Sequence, residues 1–213
     1  MSFELQTISP ADYEEMIACG RSAFMNDALR LVLWPPHLAD PENPNAEQEW
    51  RLDRLRRVVE KGAVYRKIVD KENGNRIAGF AGWAPPHETE EEKDIYSKMP
   101  LPKSLNKEAL DVVTKYMHDA KEKFMGKGNN NFWYLFSICV SPDYQRKGIG
   151  AILMQWGMDQ ADKDGLPIYL ESTPAGYSLY KKMGLETIGE IKVPEFEGLN
   201  YPVMIRHPKQ NGA

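Results

Sequence analysis

The chain has 213 residues, enough for one domain with a substantial core, and its 27 Lys and Arg stand against 31 Asp and Glu, a formal charge of −4. That balance speaks against a general nucleic-acid binder, which needs a basic surplus or a dense basic face to neutralise phosphates. No apolar run approaches the roughly 20 residues of a membrane span. The start Met1-Ser2-Phe3-Glu4 is too polar for a secretory signal, and Cys19 and Cys139 are too few for a disulfide framework. The expected setting is reducing and cytoplasmic, with neither membrane nor nucleic acid as partner.

In chain order, residues 3–8 suggest a first strand, and Ser9-Pro10-Ala11-Asp12 supplies an N-cap, a proline at N1 and an acid at N3. The helix that follows shares Tyr13, Met16, Ile17, Gly20 and Phe24 on its inward face. Residues 34–46, rich in proline, asparagine and acids, read as a loop. A second helix over residues 47–61 carries Leu52, Leu55 and Val59 and ends at Gly62. Residues 64–69 and 77–83 flank Asn73-Gly74, a hairpin signal. Within residues 85–131, Ala109, Val113, Tyr116, Met117, Ala120 and Phe124 give one helix an apolar face, and residues 88–94 form an acidic, solvated stretch.

Residues 132–140 are aromatic and branched, so they predict a buried strand, and Pro142 forbids its continuation. Ile149, Ile152, Leu153 and Trp156 then recur at helical spacing, which starts a helix near Gly148. Its first N–H groups have no acceptor inside the helix and carry the positive end of the macrodipole, a pairing that suits a phosphate. Gly148 and Gly150 let a bulky anion approach the main chain, and Gln145, Arg146 and Lys147 add donors or charge. A Rossmann turn needs a third glycine, and a P-loop ends in Gly-Lys-Ser/Thr, whereas here Lys147 precedes Gly148 and no Ser or Thr follows. The alternative is a helix start whose glycines merely ease packing and whose Arg146 and Lys147 are solvated.

Val140-x-Pro142-x-x-Gln145-Arg146-Lys147-Gly148-Ile149-Gly150-Ala151 resembles the acyl-CoA-binding motif of the GNAT (Gcn5-related) N-acetyltransferases, Gln/Arg-x-x-Gly-x-Gly/Ala. Ile168-Tyr169-Leu170-Glu171-Ser172-Thr173 and Tyr180-Lys181-Lys182-Met183-Gly184-Leu185 are similar to that family's fifth strand and the helix after it. Leu170-Glu171-Ser172, Tyr180 and the later Val193-Pro194-Glu195 look most like the puromycin acetyltransferase branch and its fungal relatives. The strong likeness covers residues 132–207; the first half matches in the order of its elements.

The resemblance implies an α+β fold, layered α/β/α, across residues 1–213 as one domain. Its sheet would be mixed, mostly antiparallel and twisted, with parallel fourth and fifth strands splayed apart. Residues 85–131 depart from the minimal pattern as a helical insertion; covering a sheet face or edge is the default, and capping the cleft or making a homodimer contact is the functional alternative. Acetyl-CoA would lie in the splay, its pantetheine pairing with Ile138, Cys139 and Val140 as an added strand would. Its diphosphate would fall on Gln145, Arg146, Lys147, Gly148, Ile149, Gly150 and Ala151, with Tyr177 or Tyr180 near the far wall.

The implied reaction is direct attack of an amine on the thioester. Tyr180 would sit beside the departing sulfur, and its alternative is a core tyrosine. Leu135-Phe136-Ser137-Ile138 lacks the glutamate that some relatives carry on the fourth strand, so Glu171 is the candidate base; a capping or ion-paired carboxylate is its alternative. His37, His87, His118 and His207 are weaker candidates, and no cluster has metal-ligand spacing. Trp34 and Trp83, each just ahead of a proline, could wall an acceptor site, with buried packing the default. The expected function is an acetyl-CoA-dependent N-acetyltransferase acting on a primary amine of a small molecule. A non-catalytic acyl-CoA-binding module and an enzyme of protein N-termini or lysines are the alternatives.

Overall fold

The computed structural model describes residues 2–86 and 99–209, so His87 and the acidic stretch 88–94 lie outside the described residues. The elements are β1 (Phe3–Thr7), α1 (Tyr13–Ala23), α2 (Ala28–Leu33), α3 (Ala46–Glu60), β2 (Val64–Asp70), β3 (Arg76–Ala84), α4 (Lys107–Met125), β4 (Trp133–Val140), α5 (Ile149–Asp164), β5 (Ile168–Glu171), α6 (Pro174–Lys182), β6 (Glu186–Lys192) and β7 (Asn200–Arg206). A seven-stranded sheet runs β1-β2-β3-β4-β5-β7-β6. All neighbours are antiparallel except β4 and β5.

That parallel pair is short. Trp133 lies opposite Ile168 and Tyr134 opposite Tyr169, and there the register ends, although β4 continues to Val140. The two strands therefore diverge as a fork, as the family likeness implies. A register shift opposite Gly82 and Trp83 places one extra residue, Phe136, in β4. Such a bulge bends its strand and reverses which side chains face which layer. Before it, Leu135 packs toward α5; after it, Cys139 packs toward α1.

Helices cover both faces because both faces are apolar. On one, α5 and α6 bury Leu153, Met154, Tyr180, Trp83, Ile168 and Leu170. On the other, Met16 and Cys19 of α1 and Leu55 and Val58 of α3 lie over β2–β4. Beside them, α4 lays Val113 and Ala120 against Tyr169, Ile191 and Val203. The helix between β3 and β4 thus covers a sheet face.

Local signals explain most boundaries. The Asp12 carboxylate accepts from the Ser9 amide at 2.6 Å and leads into α1 through a single 3₁₀ turn. Asp27 caps α2, accepting from the Leu29 amide at 3.0 Å, a short helix that the sequence pattern does not announce. The 34–46 loop holds one 3₁₀ turn, Pro36–Leu38. The β2–β3 hairpin forms as expected, but its left-handed positions are Gly74 and Asn75, one residue beyond Asn73-Gly74, and its loop closes by Asn75 N–H donating to Asp70 O at 3.0 Å. Cys19 joins the inward face of α1, with its sulfur 3.9 Å from that of Cys139.

The fully buried Trp83 ring rests directly on α5. A Cβ added at Gly157 would stand 2.1 Å from its Cζ2 atom. Gly157→Ala is therefore expected to overpack the core and destabilise by about 3 kcal/mol, read as a lower urea midpoint at unchanged slope.

Candidate active site

The turn between β4 and α5 is built as an anion nest. Arg146 has φ +62° and Gly148 φ +81°, and alternating left-handed residues turn successive amides into one concavity. A Cβ on Gly148 would point into open space, so the main chain there is accessible from outside. Behind it, the first intrahelical bond of α5 runs from Ile152 N–H to Gly148 O, which leaves the Ile149, Gly150 and Ala151 amides at the positions where no helical acceptor exists. The residues present thus fit a diphosphate.

The side chains divide differently. Gln145 Nε2 donates to Val140 O at 3.2 Å and Lys147 Nζ donates to Asp143 O at 2.6 Å, so both brace the turn from within. Arg146 is exposed. The Ile149 side chain is buried in the core, so only its amide faces the nest. Gly150 has a packing reason of its own, since a Cβ there would meet Leu179 of α6 at 3.0 Å.

The fork edge of β4 follows from hydrogen-bond alternation. Ser141 N–H donates to Ala78 O at 2.9 Å, so in this antiparallel register the main chain of Cys139 also faces β3. Ile138 and Val140 turn their main-chain groups the other way, toward the gap that β5 has left. Of the three residues expected to pair with pantetheine, the structure aims two at the fork; the Cys139 side chain lies buried against Cys19.

Tyr180 and Glu171 occupy opposite layers. Thr173 caps α6, its hydroxyl accepting from Gly176 N–H at 3.3 Å, and Tyr180 enters the α5–α6 core, where burial holds its phenol well above the usual range. The ring lies over Gly176, whose missing Cβ would come within 3.0 Å of the hydroxyl. Tyr177 packs against the same core with its hydroxyl 3.2 Å from Thr187 Oγ1 on β6, and Leu179 is the α6 side chain beside the start of α5. Glu171 shares the strand parity of Tyr169, which packs under α4, so it projects from the other face. It is partly buried, burial raises its pKa, and it accepts from Tyr134 Oη at 2.8 Å. The fork is the passage between the two layers.

The Acetyltransferase (GNAT) family profile matches residues 26–185. The chain belongs to this family. It is 36% identical over 70 residues to the probable acyltransferase SID5 of Ajellomyces capsulatus, a match covering 30% of this chain and 52% of that protein. It is 34% identical over 80 residues to the [ribosomal protein bS18]-alanine N-acetyltransferase of Escherichia coli (strain K12), covering 35% and 54%. The matches span about half the length of these curated relatives. A GNAT superfamily phosphinothricin acetyltransferase from Sinorhizobium meliloti, solved in complex with acetyl-CoA, shares the fold at a TM-score of 0.58 and 18% identity over 98% of this chain and 89% of that one.

Within this acetyltransferase fold the weaker candidates stand apart. His37 and His207 are exposed, and His118 lies 3.6 Å from Glu122 one turn along α4. Trp34 packs edge-on to Trp50 at 5.8 Å between ring centres, and Trp83 is sealed under α5, so both serve packing. Tyr134, which sequence reasoning passed over as one aromatic among several in a strand, is the residue that touches Glu171. Its place at the last paired position of β4 is visible only once the register is known.

Proposed function

We propose that this chain is an acetyl-CoA-dependent N-acetyltransferase, folded as one domain, whose acceptor is a primary amine on a small molecule. The fork carries the assignment: an open anion nest and a buried phenol lie on one layer, a carboxylate with a raised pKa lies on the other, and the gap between β4 and β5 joins them. The nest amides and the main chain of Ile138 and Val140 would hold acetyl-CoA, which supplies an activated acyl group as a thioester.

The protein's own groups then divide the work. A lysine-like alkylamine of pKa about 10.4 costs roughly 4–5 kcal/mol to deprotonate at pH 7, whereas an α-amine near 8 costs about 1. Glu171 takes that proton, and its raised pKa brings it closer to the amine. A main-chain N–H of β4 facing the gap donates to the carbonyl oxygen as charge gathers there. Tyr180 donates a hydrogen bond to the departing sulfur. A phenol near 10 opposite a thiol near 8.5 makes full proton transfer uphill by about 2 kcal/mol, and burial of Tyr180 steepens that climb, so hydrogen bonding is its contribution.

Tyr180→Phe keeps the ring and removes only the hydroxyl. It is expected to lower turnover about 10- to 100-fold while leaving acetyl-CoA affinity within about twofold. Wild-type turnover removes Tyr180 from the chemistry. A panel of amines, including antibiotic and polyamine types, assayed for free-thiol release from acetyl-CoA tests the whole proposal, and silence with every amine despite tight cosubstrate binding favours a binding module. Similarity to the bS18-alanine N-acetyltransferase supports a second reading, a protein N-terminus as acceptor. An N-terminal alanine peptide in the same panel separates the two.

A further inference from the structure

The Tyr134–Glu171 bond spans the crotch of the fork. Tyr134 and Tyr169 are the last main-chain partners of β4 and β5, and Glu171 stands two residues past Tyr169 on the same face. Where main-chain pairing stops, the Tyr134 hydroxyl reaches across to Glu171 Oε2 at 2.8 Å. Lys121 of α4 holds its ammonium 5.4 Å from the centre of the Tyr134 ring, and its positive charge favours the ionised carboxylate. Three elements thus converge on one acid. One of them is the helix between β3 and β4.

Among the described residues, the charged and titratable groups facing Glu171 are Tyr134 from β4, Tyr169 from β5 and Lys121 from α4. The Tyr169 hydroxyl is buried without a hydrogen-bond partner of good geometry among the described residues, so Tyr134 is the phenol that carries the bond. Burial is the strongest influence and disfavours the charge; the phenols and Lys121 oppose it. Neither Tyr134 nor Lys121 needs to touch a substrate to matter here.

We infer that Tyr134 and Lys121 are positioning residues for Glu171: Tyr134 pins Oε2 and leaves Oε1 to meet the amine, and Lys121, held over the Tyr134 ring, sets a positive charge beside the pair. This rests on Glu171 as the base. The ammonium first gives one proton to Oε1. The freed lone pair then forms the N–C bond as the C–S bond breaks and CoA leaves as the thiolate; the remaining surplus N–H proton passes to solvent, and Tyr134 keeps its own proton throughout. The helix between β3 and β4 then does two jobs, covering the sheet and bringing a cation to the Tyr134–Glu171 pair.

The test is the ionisation of Glu171 itself. A carboxyl-¹³C glutamate titration of the purified full chain, with Glu171 assigned through Glu171→Gln, is run beside the kcat/KM profile for a lysine-like alkylamine. Tyr134→Phe and Lys121→Met each remove a group that favours the charge. Both are expected to raise the titration midpoint and the acid limb of the profile together, by about 0.5–1 pH unit. Below the limb this is about a 3- to 10-fold loss of kcat/KM, recovered at higher pH, and Lys121→Arg restores the wild-type midpoint. Midpoints unmoved in both variants, in an enzyme that Glu171→Gln silences, overturn the inference and spare the base. Wild-type rates in Glu171→Gln overturn the base assignment instead, and the inference falls with it.

Discussion

Glu171→Gln is expected to leave acetyl-CoA binding intact and to lower kcat/KM by about 10²- to 10⁴-fold, the usual reach of a general base. The loss should be largest for alkylamines of pKa near about 10 and smallest for α-amines near about 8, because only the former need most of their deprotonation supplied. An equal loss across such a series argues against proton abstraction. The same substitution should stabilise the fold. The Glu171 pKa is raised above 4.5 by burial, so the stability contributed by its neutral form is complete below 4.5 and is lost as pH climbs through the raised value. Gln is neutral throughout and still offers Tyr134 an acceptor oxygen. At pH 7 the variant is therefore expected to melt higher than wild type, and at pH 4 the gap should close. A slow variant that also melts lower would mean that Glu171 holds the fork together more than it does chemistry.

Gly148→Asp is expected to abolish tight acetyl-CoA binding without unfolding the chain. A Cβ at this position meets nothing within 4 Å, so the substitution overpacks nothing, and the carboxylate stands at the mouth of the nest. Two unit charges about 5 Å apart at an effective dielectric near 20 repel by about 3 kcal/mol, on the order of 10²-fold in Kd. The left-handed φ of +81° adds a backbone penalty of about 1–2 kcal/mol for a side chain. Gly148→Asn carries the same backbone change without the charge and should bind within several-fold of wild type. Calorimetry on the pair isolates the electrostatic part; equal affinity in the two variants would place the phosphates elsewhere.

The cradle is readable because every part of it is local. Pro142 ends a strand, Gly148 opens a helix, and helical spacing from Ile149 onward fixes which amides are left without acceptors; all of this lies within one short stretch of chain. The hairpin and the Thr173-capped helix bearing Tyr180 are readable for the same reason. What escapes is whatever depends on strand register. The bulge at Phe136 leaves no mark in an aromatic run, yet it directs Cys139 toward α1 and, with the β3–β4 register, decides that Ile138 and Val140 face the gap. Tyr177 lies on the expected helix with its hydroxyl beside Thr187 of β6, a neighbour that only the packing of α6 against the sheet could supply.

By itself the amino-acid order determined a glycine turn with free helix-start amides between a buried strand and an amphipathic helix, since dihedral preference, proline and helix ends act over a few residues. Only the tertiary structure decided that β4 and β5 part after two paired residues, that Tyr134 bridges them to Glu171, and that the 107–125 helix brings Lys121 to the same place. The physical reason is distance along the chain. Tyr134 and Glu171 are 37 residues apart, and nothing but sheet register and helix packing can set two such side chains 2.8 Å from each other.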